Sequence, residues 1–201
     1  MDPILPSGDY RYEIRRYGGV IAVEQGSVTP QIISGVRTAD GGTNHLEAEA
    51  ALDEEGSISR VKIGYSRGFF RRNAVYEADG DTLRGSITAL AGRNEIVVKL
   101  GRFREIDAEL ALFRALLIAR IRRRGLVRWT GRVAVIDAAT LVAASLKQTC
   151  RCADDTGLRW IYEARMGDTE EIELDLEGRL INRRDSNGAT VRLVAFAPGR
   201  L

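Results

Sequence analysis

Histidine, cysteine and lysine are nearly missing from this chain. Of 201 residues one is histidine (His45), two are cysteine (Cys150, Cys152) and three are lysine (Lys62, Lys99, Lys147). A single histidine excludes zinc sites built on several imidazoles, and any Ser-His-Asp or Cys-His centre would have to use His45 itself. Two cysteines one residue apart are not the framework that staples a small secreted domain. On a strand they share one face, where a bridge between such close neighbours is strained, and no further thiolate completes a soft-metal site. The longest apolar run, near residues 110–121, is interrupted by Arg114 and Arg120 and is too short to span a bilayer. Neither G-x-x-x-x-G-K-[ST] nor a G-x-G-x-x-G opening a helix occurs, which argues against the familiar nucleotide loops. The opening MDPILPSGDYRY lacks the basic start and apolar run of a secretory signal. These absences predict a cytoplasmic protein with no metal, no cofactor and no catalytic residue that can be named.

What is present describes an ordinary globule. Hydrophobic residues make up 44% and the formal net charge is +2, so no overall field draws the molecule to nucleic acid or anionic lipid. Arginine supplies 27 of the 30 basic residues. That bias reads first as base composition and second as a taste for bidentate anion contacts.

Period-two alternation dominates the chain, as half-buried strands require. Tyr10, Tyr12 and Ile14 alternate with Arg11, Glu13 and Arg15; Leu46, Ala48 and Ala50 with Glu47 and Glu49; Ile96, Val98 and Leu100 with charged or polar partners. Leu158, Trp160, Tyr162, Ala164 and Met166 form a further set, followed by Ile172, Leu174 and Leu176 among Glu171, Glu173, Asp175 and Glu177. One wet face per strand predicts an antiparallel sheet. The acids of 171–177 read as its solvated face, not as a catalytic pair.

One segment departs from this period. EIDAELALFRALLIARIRRRG predicts a helix over about 107–124, with Asp107 as N-cap and Arg122, Arg123, Arg124 and Gly125 at its end. Leu110, Phe113, Leu117 and Ile121 lie on one stripe. The helix divides a strand-rich half, 8–101, from a second one, 126–197, within a single domain spanning 1–201. The segment VAVIDAATLVAASLKQTCRC fits either two strands around DAAT or a helix from Ala138 to Lys147. Both halves contain Leu-Asp-x-Glu-Gly, at 52–56 and 174–178, and both read as hairpin turns.

Two clusters carry candidate chemistry. Arg114, Arg120, Arg122, Arg123, Arg124, Arg128 and Arg132 come without an acid between Glu109 and Asp137, with Trp129 among them. Helix capping and pairing with the acidic strand explain them better than phosphate binding, and no nucleic acid partner is expected. In GYSRGFFRRNAVY, Tyr65, Phe69, Phe70 and Tyr76 interleave with Arg67 and Arg71. Phe69 and Phe70 cannot both face one side of a strand, so one lines a cavity or is exposed. Aromatic lining with a cationic rim suits an amphiphile with an anionic or sugar head.

In the order of its elements, from the strand-rich half through DAELALFRALLIAR and TGRVAVIDAATLVAASLKQTCR to the hairpin IELDLEGRLINRRD, the chain resembles uncharacterised bacterial proteins of the spiral β-roll fold. Those are related to glycolipid-binding proteins and, more distantly, to lipoprotein carriers. The resemblance implies two curved half-sheets wrapped about a helix, and no catalytic residues. Pattern and resemblance together predict a mainly β fold: a strongly curved antiparallel sheet forming a roll or incomplete barrel around one central helix. The expected function is non-enzymatic binding of an apolar or amphiphilic, lipid- or glycolipid-like molecule. Tyr65, Phe69, Phe70, Tyr76, Trp129, Trp160, Tyr162, Arg67 and Arg71 are the candidate lining. A solid-cored, partner-binding protein and a hydrolase using His45 or carboxylates are the alternatives.

Overall fold

A computed structural model describes residues 4–90, 92–101, 103–164 and 168–199. Eight strands come first: β1 (Gly8–Arg16), β2 (Gly19–Val28), β3 (Ile32–Ala39), β4 (Asn44–Leu52), β5 (Ile58–Arg67), β6 (Phe70–Asp79), β7 (Thr82–Ala89) and β8 (Gly92–Lys99). A short β9 (Glu105–Asp107) leads into the helix α1 (Ala111–Arg123). Six strands follow: β10 (Arg128–Ile136), β11 (Ala143–Cys152), β12 (Arg159–Glu163), β13 (Thr169–Leu174), β14 (Leu180–Asp185) and β15 (Thr190–Pro198). The ambiguous segment is therefore a hairpin, β10–β11, turning at 137–142. Arg165 and Met166, which continue the predicted alternation after Tyr162, lie outside the described residues.

All fifteen strands form one sheet in the order β8 to β1, then β15 down to β9. Two up-and-down meanders are thus sewn together where β1 pairs with β15, from Gly8 opposite Pro198 to Arg15 opposite Thr190. Every pairing is antiparallel except β9 with β10. The sheet is strongly curved and open, not closed into a barrel, and the roll curls until the β10–β11 turn meets β6: the Tyr76 hydroxyl donates to the Leu141 carbonyl at 2.5 Å and Arg72 donates to the Ala139 carbonyl at 3.1 Å.

The inner face is built by the alternation read from sequence. Tyr10, Tyr12, Leu46, Ala48, Ala50, Val61, Ile63, Tyr76, Trp160, Tyr162, Ile172 and Leu174 are all buried. Within the roll, α1 is buried from Ala111 to Ile121 on every side, as a helix enclosed by a sheet must be. Small residues on β2 and β3 let it approach closely. A Cβ on Gly26 would lie 2.5 Å from Leu112 Cδ1, and one on Gly35 would lie 3.1 Å from Leu110 Cδ1. Each fully buried leucine, isoleucine or phenylalanine of the helix contributes about 1.5–3 kcal/mol.

The helix start differs from expectation. Asp107 belongs to β9, and the first helical N–H, that of Ala111, donates to Glu24 Oε2 of β2 at 2.8 Å. A carboxylate there also suits the positive end of the helix dipole. Arg37 holds this buried carboxylate from its other side, donating through Nε to Glu24 Oε1 at 2.8 Å, and also donates to the Glu109 carbonyl. Glu109 takes a positive φ of 57°, which turns the chain from β9 into the helix. The end matches expectation: Gly125 (φ 68°) lets its N–H reach the Arg122 carbonyl at 2.8 Å and that of Leu126 reach Ile121 at 3.3 Å.

Two buried arginines interrupt the apolar helix, and each is met by acids. Arg114 Nη2 lies 2.8 Å from Asp107 Oδ2 and its Nε 3.3 Å from Glu170 Oε2, with the guanidinium 3.6 Å above the Tyr162 ring. Burial disfavours the charge of Arg114, but Asp107, Tyr162 and Glu170 outweigh it and raise its pKa. Arg120 Nη1 donates to Glu105 Oε2 at 2.8 Å and its Nη2 to Ser57 Oγ at 2.6 Å. Arg124 takes the other Glu105 oxygen at 2.8 Å. Burial pushes the Glu105 carboxyl up despite the two arginines. Three arginines of the acid-free run, Arg114, Arg120 and Arg124, are thus met by acids from outside it, Glu170 of the acidic strand among them.

Next to Arg114, Tyr162 donates its hydroxyl to Gln148. Cys150, fully buried beside them, has its thiol pushed up by burial, while Cys152 is half-buried with Sγ 3.0 Å from the Asp154 carbonyl.

Two outcomes follow for this core. Arg114→Met strands Asp107 and Glu170 as buried charges and is expected to destabilise the fold by about 3–5 kcal/mol in urea unfolding. Adding Asp107→Asn should recover part of that loss; a single variant as stable as the parent would show the pair to be dispensable. Native protein treated with a thiol-specific dye is expected to yield no more than one reactive cysteine, Cys152, with Cys150 released only on unfolding.

Candidate binding site

The meanders give the roll two ends. At one lie the turns β1–β2, β3–β4, β5–β6 and β7–β8 with the N-terminus of α1; at the other lie β2–β3, β4–β5, β6–β7 and β13–β14 with its C-terminus. The predicted lining is divided between core and rim. Tyr76, Trp129, Trp160 and Tyr162 are buried core residues, committed to packing and, for Tyr76, Trp160 and Tyr162, to internal hydrogen bonds. Tyr65 is partly buried against the core. Arg67, Phe69, Phe70 and Arg71 are exposed at the β5–β6 turn. No common cavity gathers these nine, because the space inside the roll is taken by α1.

A cleft of about 690 Å³ opens instead at the opposite end. Its apolar wall is Ile4, Leu5, Val28, Ile33, Leu52 and, from the helix, Leu116; Thr29, Pro30 and Gln31 of the β2–β3 turn and Asp53, Glu54, Glu55 and Gly56 of the β4–β5 turn form its lip, with Arg123 nearby. The two turns are shaped by their own chemistry. Asp53 Oδ1 accepts the N–H groups of Glu55 at 3.0 Å and Ser57 at 2.8 Å, and Gly56 closes the turn at φ 71°. Asp53 Oδ2 lies 3.4 Å from Arg104, so this carboxylate is fixed while Glu54 and Glu55 stand exposed.

The same Asp-x-x-Gly device recurs at Asp175–Gly178, Asp185–Gly188 and Asp154–Gly157, each with Asp accepting backbone N–H groups. The echo of 52–56 in 174–178 therefore marks a turn solution used four times.

His45 begins β4 at the other end, 3.7 Å from Glu47. Seven residues of strand, about 23 Å, separate it from Leu52 and the cleft. The carboxylates of the acidic strand do not line the cleft: Glu171 and Glu173 point to solvent. Among the described residues no group of three or more His, Cys, Asp or Glu side chains is placed to share a metal ion, and no helix is long and apolar enough to cross a membrane.

Sequence reasoning missed the cleft. Its signal was faint: Ile4–Leu5 and Ile32–Ile33 are apolar pairs beside turns, where one member lacks an obvious place in a strand face.

No family model and no curated protein matches the chain. Among solved structures it is similar to a DUF1089 family protein from Pseudomonas aeruginosa, with a TM-score of 0.62 over 81% of this chain and 89% of that one. Identity between the two is 18%, so the likeness is one of fold, and the chain shares the curved-sheet architecture of that uncharacterised bacterial protein.

Proposed function

We propose that the protein binds a small amphiphilic molecule, without transforming it, in the cleft between the N-terminal segment, the β2–β3 and β4–β5 turns and α1. The observation that carries this reading is an apolar wall ending on a charged lip, at a volume within the roughly 300–1,000 Å³ usual for ligand sites. Ile4, Leu5, Val28, Ile33, Leu52 and Leu116 would take an alkyl portion. The lip bears Asp53, Glu54 and Glu55 against Arg123, so it favours a head group that donates hydrogen bonds, hydroxylated or cationic, over an anionic one. That reverses the preference drawn from the arginine-rich β5–β6 turn.

Titration with octyl glucoside, dodecylamine and dodecyl sulfate below micellar concentrations, followed by methyl NMR of Ile4, Leu52 and Leu116, tests the reading. Saturable shifts are expected for the first two, tightening about three- to fourfold per added methylene until the cleft is full. Leu52→Trp, which fills the cleft from its wall, should abolish them at unchanged melting temperature. Shifts that never saturate, or that persist in Leu52→Trp, would leave the solid-cored, partner-binding alternative.

A further inference from the structure

We propose that the rim opposite the cleft is a membrane-docking edge, which seats the protein on anionic lipid. The inference stands on different residues from the cleft and does not depend on it. Turn tips normally favour Gly, Asn, Asp and Ser. Along the first meander, three of the four turns at this end carry a large apolar side chain instead. Tyr17 caps β1–β2, Phe69 caps β5–β6 and Leu90 caps β7–β8, each at least nine-tenths exposed. Phe70 stands beside Phe69, 41% exposed, with the Arg72 guanidinium 4.5 Å over its ring. None of the fully exposed three has a packing role, and turn geometry does not call for a large apolar side chain. Tyr17 stands at a left-handed φ of 50° beside Gly18 (φ 82°), where Gly, Asn or Asp is the usual choice, and Gly68 (φ 59°) supplies the left-handed position of β5–β6.

Each of these tips is flanked by arginine. Arg15 and Arg16 precede Tyr17, Arg67 and Arg71 bracket the two phenylalanines, and Arg93 follows Leu90; all five are exposed. Acids at this end include Asp40 in the β3–β4 turn, Glu47 3.7 Å from His45, Asp137 facing Arg72, and Glu95 two residues beyond Arg93. Asp185, whose Oδ1 accepts the Ala189 N–H, and Glu13, held by Arg15 at 2.8 Å, are the others. The five exposed arginines nonetheless gather at the apolar tips themselves, although the chain's net charge is only +2.

The opposite end supplies the contrast. Its exposed Leu176 sits beside Glu177, and the cleft lip adds Glu54 and Glu55. That end also carries Arg122 and Arg123 of the helix, and its Glu177 is held by Arg179 at 3.0 Å, so its charge is mixed. This rim instead sets exposed arginines directly beside fully exposed apolar tips, and that pairing orients the molecule on an anionic surface. Because β1 to β8 are spatial neighbours in order, the four turns lie side by side at about 10 Å intervals, forming an arc about 30 Å long. Apolar tips entering the acyl boundary while guanidinium groups engage phosphates is the pattern of interfacial attachment. Arginine suits it because its fork contacts phosphate oxygens bidentately.

Vesicle flotation with full-length protein decides the matter. Binding is expected to vesicles of three parts phosphatidylcholine to one part phosphatidylglycerol, weakening as salt is raised, and not to phosphatidylcholine alone. Phe69→Ser should weaken binding by about tenfold or more. Arg67→Gln with Arg71→Gln should weaken it by roughly thirtyfold. These side chains are exposed, so melting temperatures should not move. Phe69→Trp should show a blue-shifted emission only with the anionic vesicles. Leu52→Trp, in the cleft, should bind vesicles like the parent. Equal flotation of Phe69→Ser and parent, or an unshifted Phe69→Trp, would overturn the proposal. So would self-association that Phe69→Ser abolishes without any vesicle binding, which would assign the rim to a second copy of the chain.

Discussion

Charge neutralisation inside the roll is the constraint on which the rest depends. A helix carrying Arg114 and Arg120 cannot be enclosed by a sheet unless both cations find acids there, since an unpaired buried charge costs several kcal/mol. The acids come chiefly from β9, three residues long, whose Glu105 and Asp107 are buried beside the helix. That explains why β9 exists as a strand. Pairing in parallel with β10 fixes Glu105 against Val133 and Asp107 against Val135, which holds the two carboxylates at the height the arginines need. Glu24 adds a third buried acid at the helix N-terminus, and Arg37 balances it. The helix is thereby keyed in rotation and in depth, and the apolar packing around it follows from that placement.

The same arrangement accounts for how the inside of the roll is filled. Curved sheets of this kind must fill their inner face with side chains or with ligand. Here α1 fills it, with Gly26 and Gly35 yielding room to Leu112 and Leu110. The cleft lies to one side of the helix, where Leu116, midway along it, meets Ile4, Leu5 and the β2–β3 and β4–β5 turns. Its position is thus a matter of where the N-terminal segment and those two turns leave one flank of the thirteen-residue helix incompletely covered.

Much of the fold was legible because burial has a simple period. Tyr10, Tyr12 and Ile14, or Trp160 and Tyr162, announce an inner face by alternation, and Gly125 announces the end of the helix. The start was not legible. Asp107 looks like an N-cap by its place before an apolar run, but the group that accepts the Ala111 N–H is Glu24, 87 residues away in sequence. Glu109 likewise takes a positive φ that no local preference signals. The surroundings of the candidate site were hidden for a related reason. Alternation says that Tyr76 and Trp129 point inward, but not whether inward means toward a void or toward a helix. Ile4, Val28, Leu52 and Leu116 converge only through the fold.

The seam between β1 and β15 has a bearing on how the molecule assembles. Within either meander each strand except β9, which reaches β10 across the helix, meets a neighbour a short turn away, so pairing there is a local event. Tyr10 and Phe196, whose rings lie 4.8 Å apart, come from positions separated by nearly the whole chain, and a contact of that kind is slow to find because so much chain entropy must be lost first. The two halves can therefore zip independently around the helix, while the join that makes them one sheet sets the tempo of completion.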